Sequence, residues 1–427
     1  MSFGRNRDVG PARGLASFRG LDPVRPAIGF RGVRTAIPGP RPSSFWRRAL
    51  SRDSLLRHVD WVLVLVVLAL SLIGTLLVWS ATAPGLAQSG ANTHAYLEKQ
   101  LLVVAIGLIL MAGVSLLDYR ILRIIAPFAY AAGVLGLLAV LSPLGTTILG
   151  SHSWIPLPGG FQVEPSEYAK IGLILMIALI FGASLDRAPR PGLRELGLAL
   201  ACSVPVIGLV VAEPDLGVVV VLVVITGGMI VLSGVRLRWL AALAGASAIA
   251  LYAVLNLHLL KAYQIGRLTA FLHPSATSQG TGWQALQAKI AIGSGGMFGQ
   301  GLFHGKLTAG SFLGSYSFQG TDFIFAVAGE ELGFVGCVTI VVLLGLLMFR
   351  AVRIAARADD MFGLLAASGI AIWFAVQSFI NIGMTIGITP VTGIPLPFVS
   401  YGGSAMFADM IAVGLLQSIH RRHHVFG

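Results

Sequence analysis

The fold class this sequence predicts is all-α and polytopic, on three observations: composition, the recurrence of apolar runs, and the sidedness of the arginines. Of 427 residues 56% are hydrophobic and 11% charged, where soluble domains carry about 25% charge, and mean hydropathy is +0.83. An ordinary soluble domain is excluded. The formal charge of +12 reads as a nucleic-acid signal only until it is located. Residues 1–58 hold 12 Arg against Asp8, Asp22 and Asp53, a local +9. That stretch is rich in Pro, Gly and Arg without periodicity, which predicts a disordered, Arg-rich cytoplasmic leader that sets topology and touches anionic lipid. No nucleic-acid partner is expected.

Apolar stretches of about 17–25 residues, the length that crosses hydrocarbon at about 1.5 Å per residue, then recur along residues 59–427. About ten are expected: Val59–Ser80, Gln100–Leu117, Ile121–Leu141, Glu167–Ser184, Leu196–Val211, Leu216–Ser233, Trp239–Leu257, Phe323–Phe349, Phe362–Ile386 and Ser404–Ile419. The first run is too long for a signal-peptide core despite the small residues Ala81-Thr82-Ala83, so it is expected to be retained. Cys202 and Cys337 lie in apolar stretches without paired spacing, as packing residues.

Alternating the loops from a cytoplasmic leader places Arg120, Arg123, Arg187, Arg190, Arg194, Arg236, Arg238, Arg350, Arg353, Arg357, Arg421 and Arg422 inside. Only Lys99, Lys261, Arg267, Lys289 and Lys306 fall outside. This agrees with the excess of basic residues in cytoplasmic loops and puts both termini in the cytoplasm. Three unusual segments then face outward: Gly150–Ala169, Glu213–Gly217, and a long loop over 258–322 between the seventh and eighth spans. In that loop Trp283, Leu286 and Ile290 share a helical face away from Gln284 and Gln287, the pattern of a helix lying in the interface.

Carboxylates are scarce, and those at the outer edges of the spans cluster: Glu164, Glu167, Glu213, Asp215 and Asp322, with Glu330 and Glu331 about two turns deeper. An ionisable group at a water–hydrocarbon boundary is costly, and reads first as a functional site. Glu167 and Lys170 are three apart and can pair on one helix face; Pro165 would open that helix. Asp215 and Asp322 each have a plainer alternative, capping the helix that follows. Glu330 and Glu331 read as buried hydrogen-bonding groups. Trp154 is either an interfacial anchor or part of a cleft. Arg267, Lys289 and Lys306 could hold a pyrophosphate, and a glycine-rich run over 293–301 permits close backbone approach. The chain has no Walker lysine motif, zinc-spaced His/Cys set or G-x-S-x-G elbow.

Several stretches together closely resemble the SEDS family of RodA and FtsW. They are Ser153-Trp154-Ile155, Pro165–Lys170, Glu213–Gly217, Thr321–Ala326 with Glu330–Gly333, and above all Thr389–Ser404. Gln284, Gln287 and Ala291–Gly296 resemble that family's long outer loop, so the likeness runs from about Asp60 to the C-terminus. Ser153, Gly320 and Lys289 depart from the family's usual residues.

The resemblance implies a ten-span SEDS-type transmembrane domain over 59–427, in the cytoplasmic membrane of a bacterium. It implies an inverting glycosyltransferase that polymerises lipid II into nascent glycan strands, beside a single-span class B penicillin-binding protein as transpeptidase partner. Asp60-Trp61 resembles the RodA branch of cell-wall elongation and cell shape more than the FtsW branch of cell division. Asp322 would be the essential carboxylate, with Trp154, Glu167, Lys170 and Asp215 lining its cavity. Positive charge for the leaving group would come from Lys or Arg, or from a divalent cation, Mg or Mn, on Glu167, Asp215 and Asp322. A transporter (flippase) of lipid-linked precursors is the reading from another class, because carboxylates and broken helices also mark transport sites.

Overall fold

The computed structural model describes residues 59–426, except 118, 149–150, 158–160, 186–190, 257–264, 268, 270, 272–279 and 311–318. The leader over 1–58 lies outside the described residues, as does part of the loop over 258–322. In chain order the helices are α1 (Trp61–Gln88), α2 (Ala95–Leu116), α3 (Tyr119–Leu141), α4 (Pro165–Leu185), α5 (Leu193–Ala212), α6 (Leu216–Leu232) and α7 (Leu237–Asn256). There follow α8 (Thr281–Ser294), α9 (Lys306–Ala309), α10 (Ile324–Glu331), α11 (Gly333–Ala356), α12 (Met361–Ile386) and α13 (Gly403–Phe426). Seven of them, α1 to α5, α11 and α12, are long and apolar enough to cross a membrane, and α6 and α7 contain shorter apolar helices. The chain is a multi-pass membrane protein.

The helices at the centre are α4 and α12, the most buried of the seven. They pack on each other, with α3 and α5 against α4 and α6 and α11 against α12. Their outward-facing neighbours keep large apolar residues exposed, among them Leu72 on α1, Ile109 on α2, Phe128 on α3 and Val342 on α11. In water these would be a liability; facing lipid tails they are ordinary.

At one end of the bundle Asp60 caps α1, accepting from the Leu63 amide at 3.1 Å. It also takes a hydrogen bond from Arg350 Nε of α11 at 2.8 Å and exchanges backbone hydrogen bonds with Gln417 of α13, both 2.9 Å. One residue, through its carboxylate and its backbone, thereby ties three helices together. Arg123 of α3 pairs with Asp360, the cap of α12, at 2.8 Å at that same end.

One expectation needs correction. The eighth span is not continuous over Phe323–Phe349: it breaks between α10 and α11 at Gly333, whose φ is +69°. A left-handed residue ends the α10 hydrogen-bond ladder, and the 296–299 backbone enters the gap. There the Phe334 and Val335 amides donate to Gly296 O (2.9 Å) and Met297 O (3.1 Å). The outer segment ahead of Pro165 is stranded. Strands β1 (Thr146–Ile148), β2 (Ser151–Leu157) and β3 (Phe161–Val163) form a small antiparallel sheet in sequence order, with Thr146 opposite Trp154 and Ile155 opposite Val163.

Helix α8 packs through its small residues Ala288 and Ala291, which are fully buried, while Leu286 and Ile290 stay exposed. Its Gln284 and Gln287 are half-buried.

Candidate active site

At the end of the bundle opposite Asp60, α12 stops at Gly387, and an irregular chain runs on to α13 at Gly403. This segment carries Ile394, Leu396, Phe398 and Val399 into the core, yet it has no helical or strand ladder to satisfy its carbonyls. Side chains do so instead. Arg267 Nη1 donates to Thr392 O at 3.1 Å, Asn381 Nδ2 to Ile394 O at 2.7 Å and Gln377 Nε2 to Pro395 O at 3.0 Å. Ser400 Oγ accepts from the Leu396 amide at 2.8 Å and donates to Thr321 O at 2.6 Å; the Tyr401 amide donates to Gly320 O at 2.9 Å. The Asp322 loop is thus laid on this segment.

Asp322 does not cap α10. The capping position is Phe323, without a side-chain bond to the helix start. The Asp322 carbonyl accepts from Asn381 Nδ2 at 2.8 Å, and its Oδ2 lies 3.4 Å from where a Cβ on Gly393 would stand. Burial pushes the carboxyl up to about 6 against a hydrogen bond from Thr321, with Asp215 raising it further and Arg267 opposing.

Asp215 does cap, accepting from the Val218 amide at 3.0 Å. It also shares the field of Asp322, Glu167, Lys170 and Arg267. Its proton affinity is raised by burial first, and neighbouring Glu213 is pushed up to about 8 by burial and then by Asp215. Glu164 is driven well above the usual carboxylate range by burial, then by Glu167 and Asp215.

Helix α4 begins at Pro165, as its fixed φ favours. One turn on, Glu167 and Lys170 pair at 2.7 Å with both side chains fully buried. Lys170 Nζ also donates to Gln377 Oε1 at 2.9 Å and lies 4.6 Å from the Trp373 ring centroid. The charge is therefore compensated on three sides.

The remaining candidates spread out. Trp154 is half-buried on β2, which packs against α3 and α4. Lys289 reaches over the end of α12, its Nζ against Gly387, a position that favours a cation at a helix C-terminus. Lys306 is exposed on α9, and its amide donates to Gln300 Oε1 at 3.3 Å. Of the three expected phosphate-holding cations, only Arg267 stands on the segment that carries Asp322. Among the described residues, no three carboxylate, imidazole or thiol groups are placed to hold a metal ion. Of the three carboxylates expected to offer a cation site, Glu167 pairs with Lys170 and Asp215 accepts from the Val218 amide.

Glu330 and Glu331 act as buried hydrogen-bonding groups. Glu330 accepts from the Leu307 and Thr308 amides (2.8 and 2.9 Å) and from Thr308 Oγ1 (2.6 Å), capping α9; Glu331 accepts from Ser80 Oγ at 2.6 Å. Sequence reasoning passed over Gln377 and Asn381. Their signal was present as two amides four apart in an apolar span, following Trp373 at the same spacing.

The E. coli K12 peptidoglycan glycosyltransferase MrdB is 36% identical over 382 residues, covering 89% of this chain and 96% of that protein. A probable peptidoglycan glycosyltransferase FtsW of Trichlorobacter lovleyi is 35% identical over 371 residues, covering 87% and 95%. A chain solved in a study of structural coordination of polymerization and crosslinking by a peptidoglycan synthase complex superposes with TM-score 0.68 at 32% identity, covering 86% and 99%. Residues 60–425 match the family described as "Cell cycle protein", and the chain belongs to that family of FtsW, RodA and SpoVE.

Proposed function

We propose that this protein is a peptidoglycan glycosyltransferase of cell-wall synthesis, polymerising lipid II into glycan strands during elongation, with Asp322 as its base. The observation that carries the assignment is that the Asp322 carboxylate is not used as a helix cap. It is held instead over the Gly393 backbone, between the fields of Asp215 and Arg267.

In this reading the acceptor sugar's C4 hydroxyl gives its proton to Asp322 as its oxygen bonds to the donor's anomeric carbon. The bond from that carbon to the pyrophosphate oxygen breaks with inversion, and the lipid pyrophosphate leaves. A base within about 2.6–3.2 Å of the hydroxyl contributes about 10²–10⁴-fold in rate. Arg267 is the cation placed to meet the departing phosphate oxygens. Glu167 and Lys170 keep the cavity wall charged yet neutral in sum, and Trp154 and Asp215 belong to its edge.

The excess of arginines in the loops at the Asp60 end supports a cytoplasmic location for that end and for both termini, with the Asp322 end facing outward. A single-span transpeptidase is the partner this reading implies, in keeping with the synthase complex among the solved neighbours. A transporter would need an open polar path reaching the inner face. Here polar groups described at that face, Asp60 with Arg350 and Gln417 and Arg123 with Asp360, are paired with one another.

Glycan-strand formation from purified lipid II, by the chain alone and with a class B penicillin-binding protein, tests the proposal with Asp322→Asn as control. Strand formation by the parent and none by the variant is expected. A normally inserted Asp322→Asn protein that polymerises at the parental rate overturns the assignment. Complementation of elongation-deficient against division-deficient cells assigns the branch.

A further inference from the structure

We infer that Asn381 and Gln377 are positioning residues for the transfer reaction: a pair of amides on one face of α12 that sets where the Asp322 carboxylate stands relative to the Glu167–Lys170 pair. The inference rests on Asp322 being the base.

Trp373, Gln377 and Asn381 are spaced by four residues and so share one face of α12, and all three are fully buried. An uncharged amide in an apolar span is costly unless its polar atoms are bonded. Neither amide donates to its own helix. Asn381 Nδ2 bridges Asp322 O and Ile394 O; Gln377 Nε2 holds Pro395 O, while its Oε1 accepts from Lys170 Nζ and Trp373 Nε1 (2.6 Å). Adjacent residues 394 and 395 are thereby gripped by adjacent turns of α12, one grip reaching Asp322 and the other Lys170.

Asp side chains are short, with two torsions between backbone and carboxylate, so the position of Asp322 O largely sets the position of its Oδ atoms. Asn381 fixes that carbonyl. Among the described residues Asn381 Oδ1 has no hydrogen-bond partner, so the residue acts through its donor. A misplacement of about 1 Å at a reacting group costs about 100-fold in rate with binding little changed. A residue acting this way changes kcat and leaves KM.

The test is steady-state polymerisation of purified lipid II by Asn381→Leu, which keeps the branching and heavy-atom count and removes both donors without burying a charge. Asn381→Ser, which retains one donor, is measured beside it, and Asp322→Asn in the same membranes. The expected result is a fall in kcat of about 30- to 100-fold for Asn381→Leu with KM within threefold, a smaller fall for Asn381→Ser, and none of the parental activity in Asp322→Asn. If Asn381→Leu does not insert, Asn381→Ser carries the test by its own loss in kcat at constant KM. Parental kcat in the inserted Asn381 variant, or a loss carried by KM alone, overturns the inference while Asp322→Asn stays inactive. Activity surviving in Asp322→Asn overturns instead the assignment of the base.

Discussion

Asp322 and Arg267 stand against neighbouring residues of one irregular stretch of chain: Oδ2 of the first faces the Gly393 backbone, and Nη1 of the second donates to Thr392 O at 3.1 Å. Both side chains therefore stand against the same few peptide units. A change in that segment moves both.

The first prediction concerns pH. A base works ionised, and burial brings Asp322 to about 6, so activity should be full above neutrality and fall as pH drops through 6. One unit below that value about a tenth of the carboxylate is ionised, giving about a tenfold loss. Arg267 opposes the upward shift, so Arg267→Gln should move the acid limb to higher pH. Rate profiles of parent and variant on lipid II, between pH 5 and 8, would show an unmoved limb if Arg267 were remote from the base.

A second prediction addresses the segment itself. Gly393 has φ +80°, where a Cβ is disfavoured by about 1–2 kcal/mol, and that Cβ would stand 3.4 Å from Asp322 Oδ2. The contact alone is ordinary, so backbone strain decides the sign. Gly393→Ala should lose polymerisation while inserting normally, and Gly393→Val should lose more. Parental rates for both would show that the 392–395 backbone does not position the base.

How far the sequence foretells this arrangement depends on the range of the forces involved. Span positions were legible because hydropathy over 20 residues is a local sum. The Glu167–Lys170 pair was legible because three residues on a helix is a local distance. The Asp322 loop was visible as a carboxylate entering an apolar run. What holds it was not, because Asn381 lies 59 residues away and Ser400 lies 79 residues from Thr321. The break at Gly333 was missed for a related reason: it exists to admit backbone from 296–299, a tertiary demand that hydropathy does not register. Arg267, Lys289 and Lys306 looked equivalent as outer-loop cations. Only folding separates the one on Thr392 from those at the α12 end and on α9.

Glu330 supports a third prediction. Its carboxylate takes two amides and a hydroxyl at the start of α9, a four-residue helix too short to persist alone. Glu330→Ala would leave those donors unmatched, costing about 1–3 kcal/mol, mostly local to the segment over 300–310. Limited proteolysis in detergent should cut there faster in Glu330→Ala than in the parent. Equal cutting would mean that α9 is held by other contacts.

The buried pair Glu167–Lys170 supplies the last prediction, where the sign depends on which partner is removed. Both side chains are fully buried at 2.7 Å, so each charge is tolerable only because the other is there. Lys170→Met removes the cation, leaves Glu167 buried beside Asp215 and Glu164, and strips a donor from Gln377. Breaking one side of such a pair costs about 3–5 kcal/mol. The double change Glu167→Gln with Lys170→Met removes both charges and should recover a large part of that loss. The thermal midpoint of the double variant is therefore expected above that of Lys170→Met, whereas polymerisation should stay low in both. A double variant no more stable than Lys170→Met would mean that Lys170 stabilises the fold through Gln377 and Trp373 rather than through Glu167.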